Sequence, residues 1–115
     1  MEKTKIKTVE KPWGREEWLA HNDRYAGKII HILKGKRLSK QYHNKKHETI
    51  YVDRGELLLE IDNKKIILKA GEGFVITPKM VHRFSSINED VRLIEFSTPE
   101  LEDVVRTEDD YGRVK

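Results

Sequence analysis

The chain has 115 residues and no cysteine, a size expected to form one domain over residues 1–115, and it can hold neither disulfides, thiolate metal sites nor thiol nucleophiles. Its 23 Lys plus Arg nearly balance 20 Asp plus Glu, so the net charge of +3 is spread over interleaved charges of both signs. That is the pattern of a solvated surface and not of a nucleic-acid stripe; with no apolar run near the ~20 residues of a membrane span and no apolar signal region, neither nucleic acid nor membrane is an expected partner, and the cytoplasm is the expected location.

Residues 1–12 alternate weakly through Ile6 and Val9 and read as an edge strand or as an arm that pairs with a partner subunit. Lys11-Pro12-Trp13-Gly14 is a turn into a short strand, with Trp13 and Trp18 as core aromatics. Tyr25 to Leu33 is an Ile-rich strand closed by Lys34-Gly35. In the next strand, Arg37 to His43, period two puts Arg37, Ser39, Gln41 and His43 on one face, and a polar run on one strand face predicts a lined cavity.

Glu48 to Asp53, Leu57 to Ile61 and Lys65 to Leu68 are further strands. Their connections, Asp53-Arg54-Gly55 and Asp62-Asn63-Lys64, supply the residues that tight hairpins need. Phe74 to Thr77, His82 to Ser86 and Val91 to Phe96 follow at similar spacing, so the expected fold is an all-β antiparallel sandwich or small barrel. Thr98 to Arg106 begins Thr-Pro-Glu, which predicts a short C-terminal helical segment with Thr98 as N-cap and Pro99 at its first position. The tail from Glu108 to Arg113 is polar and belongs on the surface.

The chemistry concentrates in Gln41 to Gly55. Gln41 and His43 share one strand face, and an adjoining antiparallel strand brings Glu48 opposite them. An amide oxygen, an imidazole and a carboxylate suit one divalent cation, and His82, after the Pro78 turn, is the best fourth donor. Zinc is the first expectation, with manganese, iron, nickel or cobalt as alternatives. His21 and His31 lack a paired donor at ligand spacing, and His47, adjacent to Glu48, is expected to face solvent.

These residues resemble the cupins, double-stranded β-helix (jelly-roll barrel) proteins with two ligands spaced by one residue, a Glu, and a Gly after six more, then a second motif of Gly, Pro and His. Gln41, His43, Glu48 and Gly55 match the first motif, and Gly73, Pro78 and His82 the second. The chain is more closely similar to type II mannose-6-phosphate isomerase cupins, at Lys11-Pro12-Trp13-Gly14, at Gly35 to His43, at Thr77 to Arg83 and at Glu108 to Arg113. It departs from them at Asn44, Lys45, Ile50 and Met80, which bears on substrate choice more than on metal binding.

The resemblance implies aldose–ketose isomerisation of a sugar phosphate, mannose 6-phosphate to fructose 6-phosphate, with Gln41, His43, Glu48 and His82 around the metal. Arg37 offers a bidentate fork to phosphate, with Ser39 on its face and Arg113 as a further cation. Since Glu48 is occupied as a ligand, the candidates for the base are Lys28 and Glu95 on predicted strands. A different metal cupin, such as another sugar isomerase or an iron dioxygenase, and a non-catalytic sugar-binding module are the alternatives. A homodimer is expected, because an open edge strand invites pairing.

Overall fold

Short runs rich in Ile, Val, Leu and Phe recur along the chain, and their alternating side chains suit half-buried strands. In the computed structural model, which describes residues 2–114, they become eleven strands. These are β1 (Lys7–Lys11), β2 (Gly14–His21), β3 (Ala26–Ile32), β4 (Lys40–Tyr42), β5 (Glu48–Arg54), β6 (Glu56–Ile61), β7 (Lys64–Lys69), β8 (Gly73–Ile76), β9 (His82–Ser86), β10 (Val91–Ser97) and β11 (Val105–Glu108). They pair antiparallel into a six-stranded sheet, β1-β2-β3-β10-β5-β8, and a five-stranded sheet, β11-β4-β9-β6-β7. This two-sheet arrangement is the expected jelly roll. No helix among the described residues is long and apolar enough to cross a membrane.

The inner faces bury Ile50, Val52 and Leu93 from one sheet against Leu57, Leu59 and Phe84 from the other. The same inward register changes character along the sandwich. On β3 the inward set is Ala26, Lys28, Ile30 and Ile32; on β5 it is Glu48, Ile50 and Val52; on β10 it is Val91, Leu93 and Glu95. Glu95 lies opposite Lys28, so one end of the interior is apolar and the other is charged.

Of the two connections expected as tight hairpins, one is a hairpin and one is not. Asp62-Asn63 is the tight hairpin expected, joining β6 to β7, with Asp62 at φ 52°. Gly55 is instead a corner at which the chain leaves one sheet for the other, since β5 pairs with β10 and β8 while β6 pairs with β7 and β9. Its φ is +83° and a Cβ there would stand 2.5 Å from the Asp90 carbonyl oxygen, so only glycine fits the crossing. The edge strand within residues 1–12 is β1, paired with β2 of the same chain, while residues 2–6 form no strand; Met1, like Lys115 at the other end, lies outside the described residues.

The helical segment expected over Thr98 to Arg106 is absent: the chain makes turns and then β11. Its groups are engaged elsewhere. Thr98 N–H donates to the His47 carbonyl at 3.0 Å, His47 N–H donates to Thr98 Oγ1 at 3.0 Å, and Leu101 is buried. The segment Val104-Val105-Arg106-Thr107, β-branched at every position but Arg106, then favours a strand beside β4.

Beyond β11 the tail is clipped by Asp109, whose carboxylate accepts from Arg113 Nε and Nη2 at 2.7 and 2.9 Å and from its backbone N–H at 2.7 Å. The Arg113 guanidinium pulls the Asp109 carboxyl down to about 2. A carboxyl held below its unfolded value of ~3.9 contributes stability that is present above that value and lost as pH falls through the folded one. Asp109→Asn is therefore expected to lower Tm at pH 6, and the gap to wild type to close between about pH 4 and pH 2; a pH-independent gap in thermal melts would refute the clip's electrostatic role.

Candidate metal centre

His43 follows β4, Glu48 opens β5 and His82 opens β9, so both sheets contribute to one point. All three are buried, at 2%, 2% and 0% exposure. His43 Nδ1 lies 2.6 Å from the Asp103 carbonyl oxygen and His82 Nδ1 2.9 Å from that of Met80. A carbonyl only accepts, so each Nδ1 carries the proton and each Nε2 presents a lone pair. The two Nε2 atoms stand 3.6 and 3.5 Å from Glu48 Oε1, and the ligand atoms of the three residues lie within 4.8 Å of one another.

Neither Nε2 has a hydrogen-bond partner among the described residues although both are buried. Two orphaned lone pairs converging on a carboxylate are what a divalent cation satisfies, so the residues fit a metal. The electrostatics agree. Burial lowers His82 more than Glu48 raises it, keeping the imidazole neutral as a ligand must be. Burial pushes the Glu48 carboxyl up, but the Lys46 ammonium beside it helps to hold it well below its usual value. Gln41 faces His82 across the β4–β9 pair, on the same side of the sheet, and its Oε1 accepts from the Ser39 hydroxyl at 3.2 Å.

A chain of alternating charge runs from Glu48 into the six-stranded sheet. Lys46 Nζ lies 3.0 Å from Glu48 Oε2 and 3.0 Å from Glu95 Oε2. These are ion pairs and not well-directed hydrogen bonds, since neither oxygen has a hydrogen-bond partner. Glu95 Oε2 lies 3.9 Å from Lys28 Nζ, which reaches Glu16 Oε1 at 3.1 Å, and Trp18 Nε1 donates to that same oxygen at 2.9 Å. Burial first, and then the Glu48 carboxylate, push the Glu95 carboxyl up to about 7. The flanking carboxylates raise Lys46 against the lowering effect of burial, so it stays an ammonium.

These groups line a cavity of about 910 Å³. Lys28, Ser39, Gln41, His43, Glu48, Glu95 and Arg113 border it, and His82 lies behind, fully buried. Arg37 does not line it. The strand breaks between the isolated Arg37–Ser85 bridge and β4, which ends the period-two alternation, and Arg37 turns outward into a bidentate pair with Asp110 at 2.7 and 2.8 Å. Arg113 is likewise engaged by Asp109. His47 is exposed, while His21 and His31 bond the Pro99 carbonyl and Glu17.

The sequence reading missed Lys46, Glu16, Asp103 and Arg106. Lys46 had a legible signal: it lies two residues before Glu48, so strand parity puts both on one face. Asp103 had none, because its role is long-range. Its carboxylate accepts from the backbone N–H groups of Asn44, Lys45 and Lys46 at 3.1, 2.6 and 3.0 Å, fixing the loop between two ligands.

Residues 1–110 match the family described as mannose-6-phosphate isomerase C-terminal. The chain is 34% identical over 110 residues to a mannose-1-phosphate guanylyltransferase of Escherichia coli, covering 92% of this chain and 23% of that protein. It is 33% identical over 66 residues to the polyketide synthase CurC of Streptomyces cyaneus, covering 56% of this chain and 43% of that one. The chain thus spans less than half the length of these relatives. Among solved structures, KdgF from a Halomonas species has a TM-score of 0.76 at 20% identity, covering 86% of this chain and 89% of that one. An RmlC-like cupin from Shewanella frigidimarina has a TM-score of 0.72 at 24% identity, covering 87% of each. At these identities the likeness establishes the cupin fold.

His43→Ala and His82→Ala are each expected to lose the metal retained by wild type after dialysis, as read by elemental analysis of the purified protein, while His21→Ala keeps it. Unchanged metal content in both cavity variants would sink the site.

Proposed function

Since the chain belongs to the mannose-6-phosphate isomerase C-terminal family, we propose that it is a metal-dependent sugar-phosphate isomerase, interconverting mannose 6-phosphate and fructose 6-phosphate in the cytoplasm. One observation carries the reading: the His43–Glu48–His82 donor set shares its cavity with a second buried carboxyl, Glu95, that the metal does not need. We assign Gln41 as the fourth donor and zinc as the first choice of ion, because two imidazoles and oxygen donors suit it. When bound, such an ion supplies Lewis-acid polarisation of the substrate's carbonyl and neighbouring hydroxyl oxygens.

The chain's own groups do the rest. Glu95, ionised, takes the proton from the carbon beside the aldose carbonyl, giving an enediol, and returns it to the former carbonyl carbon, while a hydroxyl proton passes between the two oxygens. A carboxyl near neutrality suits both directions of transfer. Lys46 and Lys28 hold Glu95 in place from two sides, and the Ser39 hydroxyl orients Gln41. The expected result in a coupled assay is turnover of mannose 6-phosphate that falls with chelator and returns with one divalent metal. Glu95→Gln should lower kcat by about 100-fold or more with metal content unchanged. A full metal site without turnover would move the assignment to another substrate or to a binding role, and chelator-insensitive turnover would reject the metal.

We further propose a homodimer. The outer face of the six-stranded sheet exposes Tyr51, Val75 and Phe96, beside Ile29 and Ile94 in the same rows, a patch that a second copy would cover. Sedimentation should show a dimer at micromolar concentration that Phe96→Lys dissociates; a wild-type monomer would overturn it.

A further inference from the structure

Six cations border the metal cavity: Lys7, Lys11, Lys28, Lys46, Arg106 and Arg113. Four are already engaged. Lys28 and Lys46 belong to the buried ion chain, Arg113 is bidentate on Asp109, and Lys7 sits 4.8 Å from the centre of the Trp18 ring. Among the described residues, Lys11 and Arg106 enter no ion pair, and Arg106 Nε is a buried donor with no acceptor. The carboxylates whose fields reach Arg106, Asp109 and Glu16, are committed to Arg113 and Lys28. Lys11 and Arg106 bear on each other as like charges, from β1 at the edge of one sheet and β11 at the edge of the other. Two uncompensated cations converging at a cavity, one with an orphaned buried N–H, form a place built for an anion.

The register adds direction. Arg106 of β11 is paired with Gln41 of β4, and Gln41 with His82 of β9, so the three stand in one row on one face of the five-stranded sheet. Adjacent strands are ~4.8 Å apart, which puts the Arg106 backbone roughly 10 Å from that of His82. That separation is bridged by an extended sugar chain with a charged group at one end. We propose that Arg106 and Lys11 form the anion subsite of this cavity, seating the phosphate of a polyol phosphate whose other end reaches the His43–Glu48–His82 cluster. The identity of the ligand rests on the isomerase reading; the anion subsite does not. The subsite takes over the task that the sequence assigned to Arg37 and Arg113, whose guanidinium groups are both occupied.

The test uses the metal-loaded full chain and three probes, mannose 6-phosphate, mannose and inorganic phosphate, titrated by calorimetry. Wild type should bind mannose 6-phosphate at least tenfold tighter than mannose. Arg106→Gln and Lys11→Met should erase most of that preference while leaving mannose affinity and metal content unchanged, and Arg106→Lys should keep part of it. A second measurement needs no variant: inorganic phosphate should shift the Arg106 Nε–H resonance of the wild-type protein and leave that of Arg37 in place. A preference that survives Arg106→Gln, or phosphate shifts at Arg37 and not at Arg106, would overturn the subsite. Arg106-dependent phosphate binding without turnover would uphold the subsite and remove the isomerase. Turnover with KM unchanged in both charge-removing variants would do the reverse.

Discussion

The structure depends on keeping the carboxylate of Glu48 out of water. A buried ion costs several kcal/mol unless it is paired, and the surroundings of Glu48 are arranged around that cost. Lys46 meets one oxygen, and the two imidazoles stand within 3.6 Å of the other. Lys46, itself buried, needs a second carboxylate, which is Glu95; Glu95 needs Lys28, and Lys28 is completed by Glu16. The series ends where Glu16 meets the Trp18 indole N–H, at a half-buried position near the cavity edge. One oxygen of Glu48 is thus compensated by protein, while the other faces two unprotonated nitrogens that give it nothing. Leaving buried acceptors unpaired costs about 1–3 kcal/mol each, and a cation between the three is the arrangement that removes the cost.

That constraint explains why the C-terminal segment wraps the ligand loop when its own sequence favours a helix. Asn44, Lys45 and Lys46 must be held with their backbone N–H groups facing one way for Lys46 to turn inward, and Asp103 accepts from all three. The Asp103 carbonyl also takes His43 Nδ1–H, so a single residue sets both the loop and the tautomer of a ligand. A helix over Thr98 to Arg106 would commit the Asp103 carbonyl to the helix's own hydrogen-bond ladder and away from His43. The local preference of Thr-Pro-Glu was outweighed by contacts with residues some 60 positions earlier.

The alternation of apolar residues makes the strands legible through period two, and the cluster of His43, Glu48 and His82 is legible from the Gln41-x-His43 spacing, from Glu48 shortly after it and from a histidine placed after the Pro78 turn. The limits have the same origin. Period two fails wherever a strand breaks, so the alternation that puts Arg37 on the cavity face does not survive the irregular chain between it and β4. Gly55 looked like a hairpin glycine because a turn and a sheet-to-sheet corner need the same positive φ. Which cation is free was not readable at all. That depends on Asp109 and Asp110 each capturing an arginine, and on the field of Glu16 being spent on Lys28.

The distribution of charge over the cavity separates two tasks. Inside, the carboxyl groups of Glu16, Glu48 and Glu95 alternate with the ammoniums of Lys28 and Lys46, and the Glu48 oxygen that Lys46 does not meet faces the imidazoles. That favours a divalent cation there and disfavours a bare anion in the same place. At the sheet edges the balance is reversed: among the described residues Lys11 and Arg106 enter no ion pair, and Arg106 bears on Lys11 as a like charge. A neutral sugar would leave both cations uncompensated, and a phosphate without a sugar would leave the metal-facing row of Gln41 and His82 unused. On the proposed reading, a ligand with oxygen donors at one end and an anion at the other meets both requirements, and the register joining Arg106, Gln41 and His82 is what links the two ends.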